Sequence, residues 1–130
     1  MLGSFRDRLA DMVKANVYDL LELAELLPDQ SASDLENSDR FARDQLGAQI
    51  ARRHTVSATI PVMETALTEA REKARQAVEK DKDDLARLAI STQLDIEKRL
   101  NEARRELEGL TQSITTLEAL LAKLSAARQS

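Results

Sequence analysis

Leu100, Ala103, Leu107, Leu110, Ile114, Leu117, Leu121 and Leu124 follow one another in alternating steps of three and four residues. No other feature of the chain constrains its fold so strongly. Such steps hold the apolar groups on one stripe of an α-helix. A stripe sustained this long is a coiled-coil seam, and a seam needs a second helix to cover it. The outer positions carry charge, as at Glu97, Lys98, Glu102, Arg104, Arg105, Glu106 and Glu108. A partner lies upstream, where Ile60, Met63, Leu67, Ala70, Ala74 and Ala77 repeat the spacing. Before Ile60 the pattern weakens: Leu46 and Ile50 fit it, but Gln49 and Arg53 fall where a seam wants apolar groups. Composition points the same way. Aromatics are 2% of the chain, there are three Gly and two Pro, and charged residues make up 32%. A compact core leans on aromatics and turns; this mix suits long helices.

The stretch Glu79-Lys80-Asp81-Lys82-Asp83-Asp84 holds no apolar residue and separates two arms of similar length. Folding back there lets one seam face the other and gives an antiparallel helical hairpin about 70 Å long. In that register Ala77 faces Leu85, Ala74 faces Leu88, Ile60 faces Ala103 and Leu46 faces Leu117. A single helix running through the charged stretch is the rival, because neither Gly nor Pro interrupts it. Pro61 lacks a backbone donor and crowds the preceding turn. It predicts a kink near Ser57–Ile60 or, alternatively, two shorter helices. Ser33, with Glu36 three residues on, reads as the N-terminal cap of the first arm.

Ahead of the hairpin, residues 1–27 carry an apolar stripe of their own: Leu2, Phe5, Leu9, Met12, Val13, Val17, Leu20, Ala24 and Leu27. Asp7, Asp11, Lys14, Tyr18, Glu22 and Glu25 fall opposite, and Arg6 and Arg8 edge the stripe. Pro28 ends this element, and residues 28–33 form a polar linker to a hairpin spanning 34–130. An amphipathic helix at a chain terminus can pack on the hairpin or lie in a membrane interface. The second reading is preferred, because the hairpin's apolar residues are committed to its own seam. Leu2, Phe5, Leu9, Met12, Val13 and Leu20 would then insert, with Arg6 and Arg8 at the headgroups of an anionic or defect-rich bilayer.

Several classes of chemistry find no support. No nucleotide-loop, dinucleotide, zinc-protease or nucleophile-elbow motif is present, so no catalytic residues and no cofactor are expected. The chain has no cysteine and a single histidine, His54, which leaves no thiolate metal site. Asp81, Asp83 and Asp84 lack the glycine and distal glutamate of a calcium loop and read as a solvated tip. A net charge of −4 argues against nucleic acid as the partner. No apolar run reaches the roughly 20 residues that span a bilayer, and acidic and basic residues interrupt any leader-like stretch. The expected setting is cytoplasmic, peripheral on the inner face of the cell membrane.

Two blocks carry a family resemblance. The first runs from Arg8 to Asn16, followed by Leu20-Leu21-Glu22 and Ala24-Glu25. The second comprises Glu72-Lys73-Ala74 and Lys80-Asp81-Lys82-Asp83-Asp84-Leu85-Ala86-Arg87-Leu88-Ala89. In this order they resemble the opening helix and hairpin tip of the phage shock protein A and vesicle-inducing protein family, which shares its core with the ESCRT-III superfamily. The resemblance implies an amphipathic first helix and a long helical hairpin. It also implies binding and remodelling of stressed membranes, and self-association into filaments or rings. An AAA+ transcription activator is a further implied partner, which keeps a second reading open: a soluble coiled-coil regulator. Residues 28–70 match poorly, and Pro61 and Gly47 depart from the family pattern. The seam that packs the two arms together is Ile60, Met63, Leu67, Leu100, Leu107, Leu110, Ile114, Leu117 and Leu121; self-association through the hairpin is what the resemblance implies.

Overall fold

The computed structural model describes residues 30–129. They form two α-helices, α1 (Ala32–Glu79) and α2 (Asp83–Gln129), of 48 and 47 residues. The described chain is all-helical, and its two long helices pack against each other. Residues 1–29, with the apolar stripe read there, lie outside the described residues.

Local chemistry fixes each helix end. At the start of α1 the Asp34 amide donates to the Ser31 hydroxyl at 3.1 Å, and the Leu35 amide donates to the Ser31 carbonyl at 2.9 Å. Ser31 is therefore the cap, not Ser33, and Ala32 and Ser33 are helical rather than linker. A serine hydroxyl satisfies one of the four amides that a helix start leaves without partners. Asp34, three residues after Ser31, also places its charge on the positive end of the helix dipole.

The turn between the helices occupies only Lys80–Lys82. The Lys82 amide reaches back to the Ala77 carbonyl at 2.9 Å and the Asp81 amide to the Val78 carbonyl at 3.1 Å. This pair of bonds is a Schellman cap. Asp81 supplies its left-handed residue, with φ of 53°. Glycine is usual there; aspartate is one of the few L-residues that tolerate it. Lys82 then serves as the cap residue of α2, its carbonyl accepting from the Ala86 amide at 2.9 Å. Asp83 and Asp84 occupy the first turn of α2, where the dipole favours anions. The single-helix rival is thereby ruled out.

Packing divides into two compact units. Among the described residues, one unit joins residues 30–53 to residues 109–129. Its core is Leu35, Ala42, Leu117, Leu120, Leu121 and Leu124, flanked by Phe41, Leu46 and Ala127. Leu117 and Leu124 are fully buried, and each such side chain contributes roughly 1.5–3 kcal/mol. Burial here is wider than a single seam, since Ser38, Asp39 and Thr116 are also enclosed. Asp39 accepts from Arg43 Nε at 2.8 Å and lies 3.4 Å from Arg128. The Thr116 hydroxyl donates to the Gln112 carbonyl at 3.0 Å.

The second unit is His54–Glu108. Val56, Leu67, Ala70, Ala74 and Ala77 on α1, with Ala86 and Leu100 on α2, are buried. Ile60, Met63, Ala103 and Leu107 are half-buried. Two ion pairs cross between the helices: Arg71 to Glu97 at 3.1 Å and Arg104 to Glu64 at 3.6 Å. Position falls on one helix as it rises on the other, the signature of antiparallel pairing.

Two sequence expectations are corrected. Leu85 and Leu88 do not cover Ala77 and Ala74; they are 54% and 65% exposed. The buried residues nearest the turn are alanines, Ala77 on one helix and Ala86 on the other, and the leucines stand on the flank. Ile50 is exposed and Val56 is buried in its stead, because the three-four pattern of α1 continues through Gln49 and Arg53 despite their polarity. The alternative of two shorter helices is also excluded, since α1 passes through Pro61 as one helix. Proline costs the ladder one donor, but the Thr59 hydroxyl bonds the Thr55 and Val56 carbonyls at 2.9 and 2.8 Å just before it.

Candidate functional site

The sequence offered two functional features, the N-terminal stripe and the hairpin seam. The membrane residues Leu2, Phe5, Arg6, Arg8, Leu9, Met12, Val13 and Leu20 lie outside the described residues. Of the seam residues, Leu67, Leu100, Ile114, Leu117 and Leu121 are buried, while Ile60, Met63, Leu107 and Leu110 are half-buried. Such side chains form a core, so any surface open to a partner must be sought beside it.

That surface lies next to the turn. A groove of about 570 Å³ runs between α1 and α2 from Ala66 to Lys82. On the α1 side it spans Ala66 to Lys80, the residue just past the end of α1, which corresponds to about 21 Å of helix rise. The floor is small and apolar: Ala70 and Ala77 from α1, Ala89 and Ile96 from α2. The walls differ. On the α2 side stand Leu85 and Leu88 with Thr92; on the α1 side stand Glu69, Lys73, Gln76 and Lys80. The asymmetry follows from the seam. Alanines at the contact put Leu85 and Leu88 one step off it, where they line the groove instead of filling the core.

Charge is unevenly satisfied around this end of the hairpin. Arg71 pairs with Glu97, and Arg75 pairs with both Glu72 and Glu79. The Gln93 amide and then the Arg71 guanidinium hold the Glu97 carboxyl below the usual carboxylate range. The hydrogen bond from Arg75 does the same for Glu72, and Arg75 is in turn pushed up by Glu72 and Glu79. The side chains of Lys73, Lys80 and Lys82 at the groove, by contrast, have no ion-pair or hydrogen-bond partner among the described residues.

Sequence reasoning missed this groove. The signal that could have found it is the run Ala70, Ala74, Ala77 on one helix beside Ala86 and Ala89 on the other. A seam made of alanines cannot also bury the leucines next to it.

Among the described residues no group of three or more His, Asp or Glu could hold a metal ion. No described helix is long and apolar enough to cross a membrane. No family model matches the chain, and no curated protein or solved structure shows significant similarity to it.

Proposed function

We propose that this chain is a peripheral membrane protein of the phage shock protein A type. In this reading its N-terminal helix binds and stabilises or remodels the bilayer, and its hairpin mediates self-association. The observation that carries the proposal is the apolar stripe of Leu2, Phe5, Leu9, Met12, Val13 and Leu20, set ahead of two long packed helices. An isolated helix of that length is marginal in water, and a lipid interface supplies the apolar partner that makes it stable. Further support comes from the turn at Lys80–Lys82, which falls inside the second block of family resemblance.

Residues 1–16 carry Arg6, Arg8 and Lys14 against Asp7 and Asp11, so binding by this route is driven by apolar insertion more than by charge. Flotation with liposomes tests it. The wild-type chain floats with defect-rich vesicles and does so across moderate salt, whereas Phe5→Asp stays at the bottom with its helicity unchanged. Flotation that survives Phe5→Asp, or that disappears at moderate salt, rules the mechanism out.

A further inference from the structure

We propose that the groove beside the turn is a docking site for an amphipathic helix of a partner protein, one whose apolar stripe is flanked on one side by carboxylates. The inference is independent of the membrane reading.

The shape of the groove selects a helix. It lies between two packed helices for roughly four turns, and its alanine floor lets a third backbone approach closely. That is the helix-in-groove mode of recognition. A lone acyl chain fits poorly, because bound small ligands bury most of their surface and here the α1 wall is polar throughout, with Glu69, Lys73, Gln76 and Lys80.

The two walls then specify the sides of that helix. Leu85 and Leu88 are more than half exposed, and a stripe of leucine or isoleucine would cover them. Lys73 on α1 and Lys80, the first residue of the turn, stand seven residues apart. The Lys80 amide still donates to the Gln76 carbonyl at 3.1 Å, so at helical rise the two positions share one face about 10.5 Å apart. Their ammonium groups have no partner among the described residues, although the neighbouring arginines are paired. Carboxylates one heptad apart on the incoming helix match them, as flanking charges do in coiled coils. A flat anionic surface would also meet Asp81, Asp83 and Asp84 at the turn, which a helix lying along the groove need not approach.

The test uses the full chain and a pair of stapled amphipathic peptides about three heptads long. They share a leucine stripe and differ only in carrying Glu or Lys at the flanking positions. Fluorescence anisotropy should show the Glu peptide binding about tenfold more tightly than the Lys peptide, the scale of a few surface charge pairs. The double variant Lys73→Glu/Lys80→Glu should reverse that order. Leu88→Asp should abolish binding of the Glu peptide while leaving the helical content unchanged, and Phe5→Asp should leave binding intact. Equal affinity for both peptides, or an order unchanged by the charge swap, overturns the proposal. Two other results also overturn it when the Glu peptide fails to bind. Flotation with phosphatidylglycerol vesicles that Leu88→Asp removes would assign the groove to lipid. Self-association in sedimentation that the same variant removes would assign it to a second copy of the chain.

Discussion

The carboxylate of Asp39 lies 3.4 Å from the guanidinium of Arg128, and so ties the second turn of α1 to the last turn of α2. Asp39 is nearly enclosed, and Arg43 Nε donates to the same oxygen, Oδ2, at 2.8 Å. An enclosed carboxylate needs such partners, since desolvation makes an unpaired charge costly. Arg128→Ala should therefore lower the unfolding free energy in urea by about 1 kcal/mol. In a double-mutant cycle, Asp39→Asn and Arg128→Ala should couple by about 0.5–1 kcal/mol. Zero coupling would mean that Arg43 alone holds the carboxylate.

Asp81 occupies a left-handed backbone conformation that glycine adopts without cost. Asp81→Gly should leave stability unchanged or raise it by up to about 1 kcal/mol. Asp81→Val, whose branched side chain clashes there, should lower it by about 1–2 kcal/mol. Thermal unfolding of both variants checks the pair, and a stabilising valine would contradict the turn geometry.

Leu117 is fully buried whereas Leu88 is 65% exposed. Leu117→Ala should cost about 2–5 kcal/mol, and Leu88→Ala should stay within about 0.5 kcal/mol. Comparable losses from the two would show that Leu88 belongs to the core.

Glu97 is held deprotonated by Gln93 and Arg71, so its folded pKa lies below its ordinary value of 4.5. A depressed carboxylate pKa means that the unfolded chain binds the proton more readily. The stabilisation is then fully present above the ordinary value and is lost as pH falls through the lower folded one. Glu97→Gln should remove it. Urea unfolding of wild type and variant should differ modestly at neutral pH and converge in acid. A gap that widens toward low pH would reverse the sign.

The fold class was legible because Leu100 to Leu124 keep heptad spacing without a fault. The turn was legible as a charged interval, but not its length, which depends on Asp81 accepting a backbone conformation that composition does not reveal. The near half of α1 misled for a physical reason. Gln49 and Arg53 occupy seam positions, so hydrophobicity alone placed Ile50 inside and overlooked Val56. Near the turn the error was of another kind. Leu85 and Leu88 outrank Ala86 and Ala89 in apolar surface, yet the alanines take the seam because helices in close contact have room for little more. The groove is a product of that choice and leaves no motif of its own.

The brevity of the connection between the helices has a topological consequence. Only Lys80, Asp81 and Lys82 separate α1 from α2, and only Asp81 among the described non-glycine residues has a positive φ. Rewinding those three residues into helix would let the two helices merge, with each seam bare until a second such chain lay alongside. Domain exchange between copies is thus separated from self-pairing by the backbone of a three-residue turn. The hairpin prevails in dilute solution because a tethered partner has a high local concentration, and crowding many copies together erodes that advantage.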